Sequence, residues 1–341
     1  MLQIENGIQI ATDDYYIQHK ENGMDELHFE VPITDQAYLH LNEESRIIES
    51  TEHQTYVVKT ISGSSKTAKI GCQLDLTDWK GQIELNYNRT GTAQLFLRGF
   101  KPNNWTVVDP SEKADSKTIE LDAPTPLDLA LRVQDDFGCR LRFDTKEKKV
   151  TIIYPDDVQQ SNSYVVDTVN LVGAPEYKGK SSDLYTRIYP KGKNDLTISS
   201  VNNGVNYLQN LTYTDRIICK MVSFSSIESA AELKSEAQKQ LDIDSQPERS
   251  WKLKVVDLYR SNPQKWPEMM MDIFTKIRMI DTYKGFTANV QVVEDKIYPH
   301  YPEKNEITVS TVTKSVQRTL HRLFDTINNP NSAFNMRLKS L

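Results

Sequence analysis

The sequence predicts an α+β, multidomain fold on three observations. Short, partly alternating apolar runs separated by turn residues fill both ends of the chain, the pattern of antiparallel strands. Capped helical segments interrupt those runs. The 341 residues exceed what one ordinary core serves. With 38% hydrophobic and 26% charged residues and a mean hydropathy of −0.57, there is apolar material to fill cores and charge to coat them, which excludes a disordered chain. No apolar run approaches the roughly 20 residues of a membrane-spanning helix. No signal peptide is expected, since Met1–Glu5 carries no basic flank followed by an apolar stretch.

The first strand block comprises Gly7–Ile10, Leu27–Val31, Tyr56–Ile61 and Ala68–Cys72, and reads as a small antiparallel barrel or sandwich over residues 1–80. Residues 81–163 read as a mixed α+β domain around a helix over 126–137. Thr125 is its N-cap, Pro126 its first residue, Asp128 closes a capping box and Gly138 stops it. The strand Lys149–Tyr154 ends this domain, and polar Asp156–Ser163 reads as a linker. Tyr164–Val169 and Leu184–Tyr189 read as strands before a turn at Pro190–Lys193. A second helix is expected to open at Ser225, with Glu228 as its capping partner, and to end at Ser245–Pro247. Strands resume at Lys252–Val256, Lys276–Ile280, Ala288–Val293 and Glu306–Val309. Val316, Leu320, Leu323 and Ile327 then form one narrow apolar stripe on a C-terminal helix within residues 316–341. So narrow a stripe must dock on the preceding domain or on another subunit.

The balance of 41 Lys and Arg against 47 Asp and Glu, a net charge of −6, has the wrong sign for gripping nucleic acid or anionic lipid through an overall basic surface. Cys72, Cys139 and Cys219 lie far apart, are odd in number, and read as reduced, buried thiols that fit synthesis in a reducing cytoplasm.

Gly173–Ser181 ends in Gly-Lys-Ser, but five residues separate its glycines, Pro175 removes a backbone donor and Glu176 places a negative charge where a phosphate would sit, so nucleotide binding is not expected. His19, His28, His40, His53, His300 and His321 form no metal-binding or zincin spacing and read as surface or packing residues. Asp13-Asp14, Asp135-Asp136 and Asp156-Asp157 read as solvated turns. Asp242 and Asp244 lack the glycine and distal glutamate of a calcium loop. No nucleophile elbow occurs. No catalytic, cofactor-binding or metal-binding residue is therefore assigned. Trp266–Met271, with one Trp and three Met, suits either a covered cluster or an adaptable interface.

Two stretches carry a family resemblance. The first runs through Gly173–Ser181, Tyr185–Lys193, Leu196-Thr197-Ile198 and Asn203-Gly204 to Tyr207. The second is Ile277–Asp281, then Lys296–Pro299 and Pro302–Val309. Together they resemble the prophage tail endopeptidase family, the N-terminal region of tail-associated lysins of Gram-positive siphophages. The family commonly has Gly-Asp before the second stretch, where this chain has Phe274-Thr275. The resemblance also takes in the capped helix at Thr125.

The resemblance implies the baseplate hub fold: two small antiparallel β-barrels plus two mixed α/β domains. Residues 1–80 would be the first barrel, and 164–224 with 270–315 a second, discontinuous one. Residues 81–163 and 225–269 would be the mixed domains. It implies a homotrimer in the assembled tail, with monomer permitted in dilute solution, located at the virion tail tip and made in the host cytoplasm. Implied partners are the distal tail protein or tail tube, the tape measure protein, and a receptor-binding or lytic module. DNA would pass without specific binding. The endopeptidase activity belongs to a C-terminal module of some members, and the chain is expected to stop short of it. A cell-wall hydrolase and a carbohydrate-binding tail adhesin are the competing readings.

Overall fold

The computed structural model describes residues 1–155, 157–158, 160–166, 171–173, 175–224, 227–282 and 285–311. The expected C-terminal helix and His321 lie outside them. In chain order the strands are β1 (Leu2–Ile4), β2 (Gln9–Ile10), β3 (Tyr15–Lys20), β4 (Glu26–Pro32), β5 (Arg46–Glu49), β6 (Gln54–Gly63), β7 (Thr67–Leu74), β8 (Tyr87–Gly91), β9 (Thr106–Val108), β10 (Lys117–Leu121), β11 (Arg140–Asp144), β12 (Lys149–Ile153) and β13 (Gln160–Val166). They continue with β14 (Glu176–Lys180), β15 (Arg187–Lys191), β16 (Leu208–Gln209), β17 (Cys219–Ser223), β18 (Glu248–Lys254), β19 (Lys276–Asp281), β20 (Phe286–Ile297) and β21 (Glu306–Ser310). The helices are α1 (Ala93–Gly99), α2 (Pro126–Phe137), α3 (Ala230–Asp244) and α4 (Leu258–Ser261). The protein is thus mostly β-sheet with few helices. None of the described helices is long and apolar enough to cross a membrane.

The chain forms two units: one from Met1–Glu176 with Lys252–Val309, the other from Tyr177–Trp251 with Ser310 and Thr311. In the first, a sheet runs β2-β1-β5-β6-β7-β4-β3 and continues through β20 to β21. Alternation places one face of each strand inward: Tyr15 and Ile17 on β3, Leu27, Phe29 and Val31 on β4, and Ala68, Ile70, Cys72 and Leu74 on β7 are all buried. The core cluster they enter extends from Leu2 to Tyr154, so residues 1–80 and 81–163 share one interior. At its centre Trp79 meets Trp105 and Phe143 edge-to-face, with ring centroids 5.4 and 5.2 Å apart.

Helix α2 forms as its sequence dictates. Thr125 Oγ1 accepts from the Asp128 amide, Asp128 answers at the Thr125 amide, and Gly138 takes the left-handed conformation at φ 62°. Helix α1, capped by Thr92, has only seven residues and shows too little periodicity to be read from sequence.

Three expectations are corrected. Residues 160–163, read as linker, belong to β13, which pairs in parallel with β19; backbone hydrogen bonding outweighs their polar composition there. The helix expected at Ser225 begins at Ala230 with Ser229 as N-cap. Ser225 lies outside the described residues, and the Glu228 carboxylate is taken by Lys193 Nζ at 2.6 Å.

Residues 184–198 and 276–309 do not share a sheet either. β15 lies in a three-stranded sheet, whereas β19–β21 extend the N-terminal one, and no pairing among the described strands closes a barrel. The reason is the length of β20. Its first half pairs with β19, from Lys276↔Gln291 to Asp281↔Phe286, and its last four residues are left to pair with β3, from Glu294↔Lys20 to Ile297↔Ile17.

In the second unit β15 lies between antiparallel β16 and parallel β17. Helix α3 contributes Leu233, Ala237 and Leu241 to a small core with Ile188, Ile198, Leu208, Val222 and Ile227.

Candidate functional site

Charged side chains gather in the first unit where β20 meets β3. The inward phase of β3, set by Tyr15 and Ile17, continues to His19. That of β20, set by Ile297, continues to Asp295, which is 1% exposed. The register makes Ile17↔Ile297 and His19↔Asp295 direct cross-strand pairs. Apolar packing at one rung therefore positions an imidazole and a carboxylate at the next.

His19 Nδ1 lies 2.6 Å from Asp295 Oδ1, and its Nε2 lies 2.8 Å from Glu52 Oε2. Glu52 is held there by its own turn. The buried Glu49 carboxylate accepts the amides of Thr51 and Glu52, each at 2.7 Å, and the Tyr15 hydroxyl donates to it at 2.8 Å. A neutral imidazole has one N–H, so two carboxylates at these distances require both ring nitrogens to carry protons. Burial opposes that charge, but Asp295 and Glu52 outweigh it and hold His19 well above the usual histidine range. Burial likewise pushes Glu52 up, yet the His19 charge and hydrogen bond win and leave its carboxyl below the usual range.

The neighbours complete a network. Arg260 on α4 reaches Asp257 at 3.3 Å, Asp272 at 3.4 Å and Glu52 at 4.0 Å. Asp25 and Asp272 are both pushed up by burial, with the His19 charge partly offsetting this at Asp25 and the Arg260 charge chiefly doing so at Asp272. Chemically the arrangement is an ion cluster that locks strands. A general base needs a free ring nitrogen facing a substrate, and both nitrogens of His19 are taken.

The other residues weighed from sequence are dispersed. His28 stacks on Tyr16 at 4.9 Å, and its Nε2 lies 3.1 Å from Glu26. His300 meets the Tyr15 ring edge-on at 5.6 Å, and His40 and His53 are exposed. Cys72 and Cys139 are buried; burial raises both thiols, Cys139 to about 12. Cys219 is exposed on β17, against expectation, because the side chain points off the face that Val222 buries. Glu176–Lys180 is an exposed strand rather than a phosphate-cradling loop, and Lys180 pairs with Asp183. Asp14 pairs with Lys304 at 3.0 Å, Asp136 with Arg132 at 2.8 Å, and Asp157 with Lys113 at 3.0 Å. Asp242 accepts from Gln238, and Asp244 is buried. In Trp266–Met271, Met269 is buried and Met270 exposed. Among the described residues no group of three or more His, Cys, Asp or Glu is arranged to hold a metal ion.

Residues 159–320 match the family model described as "Prophage endopeptidase tail". No curated protein matches the chain in sequence. Among solved structures, the chain is similar to prophage tail protein gp18 from Listeria monocytogenes EGD-e, at 18% identity and a TM-score of 0.63, with 94% of each chain covered. It is also similar to the 43 kDa tail protein of prophage MuSo2 from Shewanella oneidensis, at 13% identity and a TM-score of 0.65, covering 91% of this chain and 96% of that one. A tail protein from Neisseria meningitidis MC58 is similar at 9% identity and a TM-score of 0.64, covering 91% and 94%. At these identities the likeness is one of fold. Phe274, at the position where the resemblance leads one to expect Gly-Asp, adopts φ 73°, a left-handed conformation that glycine takes without cost.

Proposed function

We propose, from the match of residues 159–320 to the prophage endopeptidase tail family model, that this chain is a structural hub protein of a phage tail tip. The observation that carries the reading is the likeness to tail proteins along nearly the full length of both partners, 94% of each chain for the Listeria protein. Such coverage means that the shared fold accounts for nearly all of this chain and nearly all of each tail protein it matches.

In this reading three copies surround the tail axis. Residues 1–80 supply the barrel-like contact element of each copy, and the ring joins the tail tube or distal tail protein and the tape measure protein to a receptor-binding or lytic module. DNA passes through without being held, in keeping with a net charge of −6. The chain itself cleaves nothing. Contacts made at the high local concentration of a growing tail need not persist in dilute solution, so a monomer there is compatible with a trimer in the particle.

Imaging of tails that contain the chain tests this. Three copies on the axis are expected; six copies, or a position on side fibres, would overturn it. Incubation of the purified chain with peptidoglycan is expected to release no soluble fragments. Release abolished by one His, Cys or acidic substitution would establish the hydrolase instead.

A further inference from the structure

The joint between the N-terminal strands and the returning segment combines one buried apolar rung, Ile17 against Ile297, with polar and charged contacts. The apolar cluster of the N-terminal part ends at Tyr154. What fastens residues 252–309 to it includes a ladder of four residue pairs between β20 and β3, the 5.3 Å ring contact of Tyr16 with Tyr298, and ion pairs from Asp14 to Lys304 and from Glu52 to Arg260. His19 sits within that ladder, its side chain 15% exposed, bridging the return strand through Asp295 and the β5–β6 turn through Glu52.

We propose that the Asp295–His19–Glu52 triad is a pH-operated clasp: doubly protonated His19 holds the end of β20 on β3, and loss of one proton lets residues 294–297 part from residues 17–20. The geometry carries this. When the imidazole keeps a single proton, one of its two short contacts sets a nitrogen lone pair against a carboxylate oxygen, and attraction becomes repulsion. Every charged group facing the site then matters. Glu52 faces it from the β5–β6 turn, Asp295 from β20, Asp25 from the β3–β4 turn, and Asp272 and Asp257 from the segment around α4. Against these stand Arg260 of α4 and Arg142 of β11. Without the His19 charge the two arginines face five carboxyl groups in a largely enclosed space.

The direction in pH follows. A histidine whose folded value is raised contributes fully below its ordinary value near 6.5 and loses that contribution as pH rises through the folded value. Glu52, lowered, contributes above its ordinary value and fails only as pH falls through its folded one. The buried Asp25 and Asp272, both raised, also favour the closed joint less as they ionise. The clasp is therefore tight in mild acid and loosens toward alkaline pH.

Two measurements on the full chain test it. The His19 ring proton, followed by NMR, is expected to titrate above 6.5. Amide hydrogen exchange of residues 294–297, divided by the intrinsic rate, is expected to report an opening constant that climbs by up to about tenfold per pH unit between the His19 midpoint of the opened joint, where Glu52 still faces the ring, and the higher midpoint of the closed one, because a proton is released on opening. His19→Asn, which cannot titrate, should lose the slope, and Asp295→Asn should lower the His19 midpoint. A His19 that titrates at or below 6.5, or an opening constant flat with pH in the unaltered chain, would overturn the clasp. So would a slope that survives His19→Asn. The two wild-type measurements decide the question even where a variant fails to fold.

Discussion

The N-terminal part of the first unit and the second unit solve the burial problem at different scales. The former gathers side chains from Leu2 to Tyr154 into one cluster, with Trp79, Trp105, Tyr56 and Tyr87 wholly enclosed. The latter relies on eight buried apolar residues between a three-stranded sheet and α3, and leaves Leu211, Tyr213, Ile217, Ile218 and Met221 exposed. Stability in a small core is marginal because each residue fixed in place offsets much of what its burial contributes. The difference teaches that the two units should respond separately to damage, the first as a block and the second locally.

Substitution at the centre of the large core should show the greatest effect. Trp79→Ala removes the ring that Trp105 and Phe143 abut and should destabilise the first unit by roughly 3–5 kcal/mol. Denaturant unfolding followed by tryptophan fluorescence would read this as one cooperative loss, and a shift confined to a minor transition would break the comparison. Leu233→Ala on α3, at 0% exposure, should cost about 2–4 kcal/mol and melt the second unit alone. Limited proteolysis should then cut within residues 177–251 while the first unit stays intact; simultaneous cleavage of both would show that they unfold together. The smallest effect is expected at a helix end. Thr125→Ala deletes the α2 capping box and should cost about 1 kcal/mol, visible as a lowered midpoint in the transition of the first unit and absent from that of the second.

Local chemistry was legible where it is self-contained. The Thr125–Asp128 box and Gly138 locate α2 because every partner lies within a few residues, β4, β7, β12 and β19 carry their own alternation, and β6 shows a short apolar run, Tyr56–Val58. β3 was not identified, and with it the ion cluster. Its inward phase, Tyr15, Ile17, His19, ends on a polar residue whose partner Asp295 lies 276 positions away. A histidine continuing the buried phase of a strand is the one sequence signal the cluster offers. The discontinuous barrel failed for a related reason: which strand claims the last four residues of β20 is decided by the Ile17–Ile297 contact, and no local pattern records it. The turn at Phe274 was flagged by the resemblance alone, since nothing in propensity places a phenylalanine at φ 73°.

The chain leaves the first unit and returns to it at neighbouring points. Leu171 bridges Val255, and the Val172 amide donates to the Lys254 carbonyl at 2.8 Å. Two strands of backbone that already touch need only a few residues to be spliced, and the entropy of closing so short a gap is small. The residues between β14 and β18, two strands that pair with each other at the end of the same sheet, are therefore a cassette. Lengthening or exchange of that stretch leaves the host sheet's hydrogen bonds in place, because β14 and β18 stay paired with each other and β18 with β21.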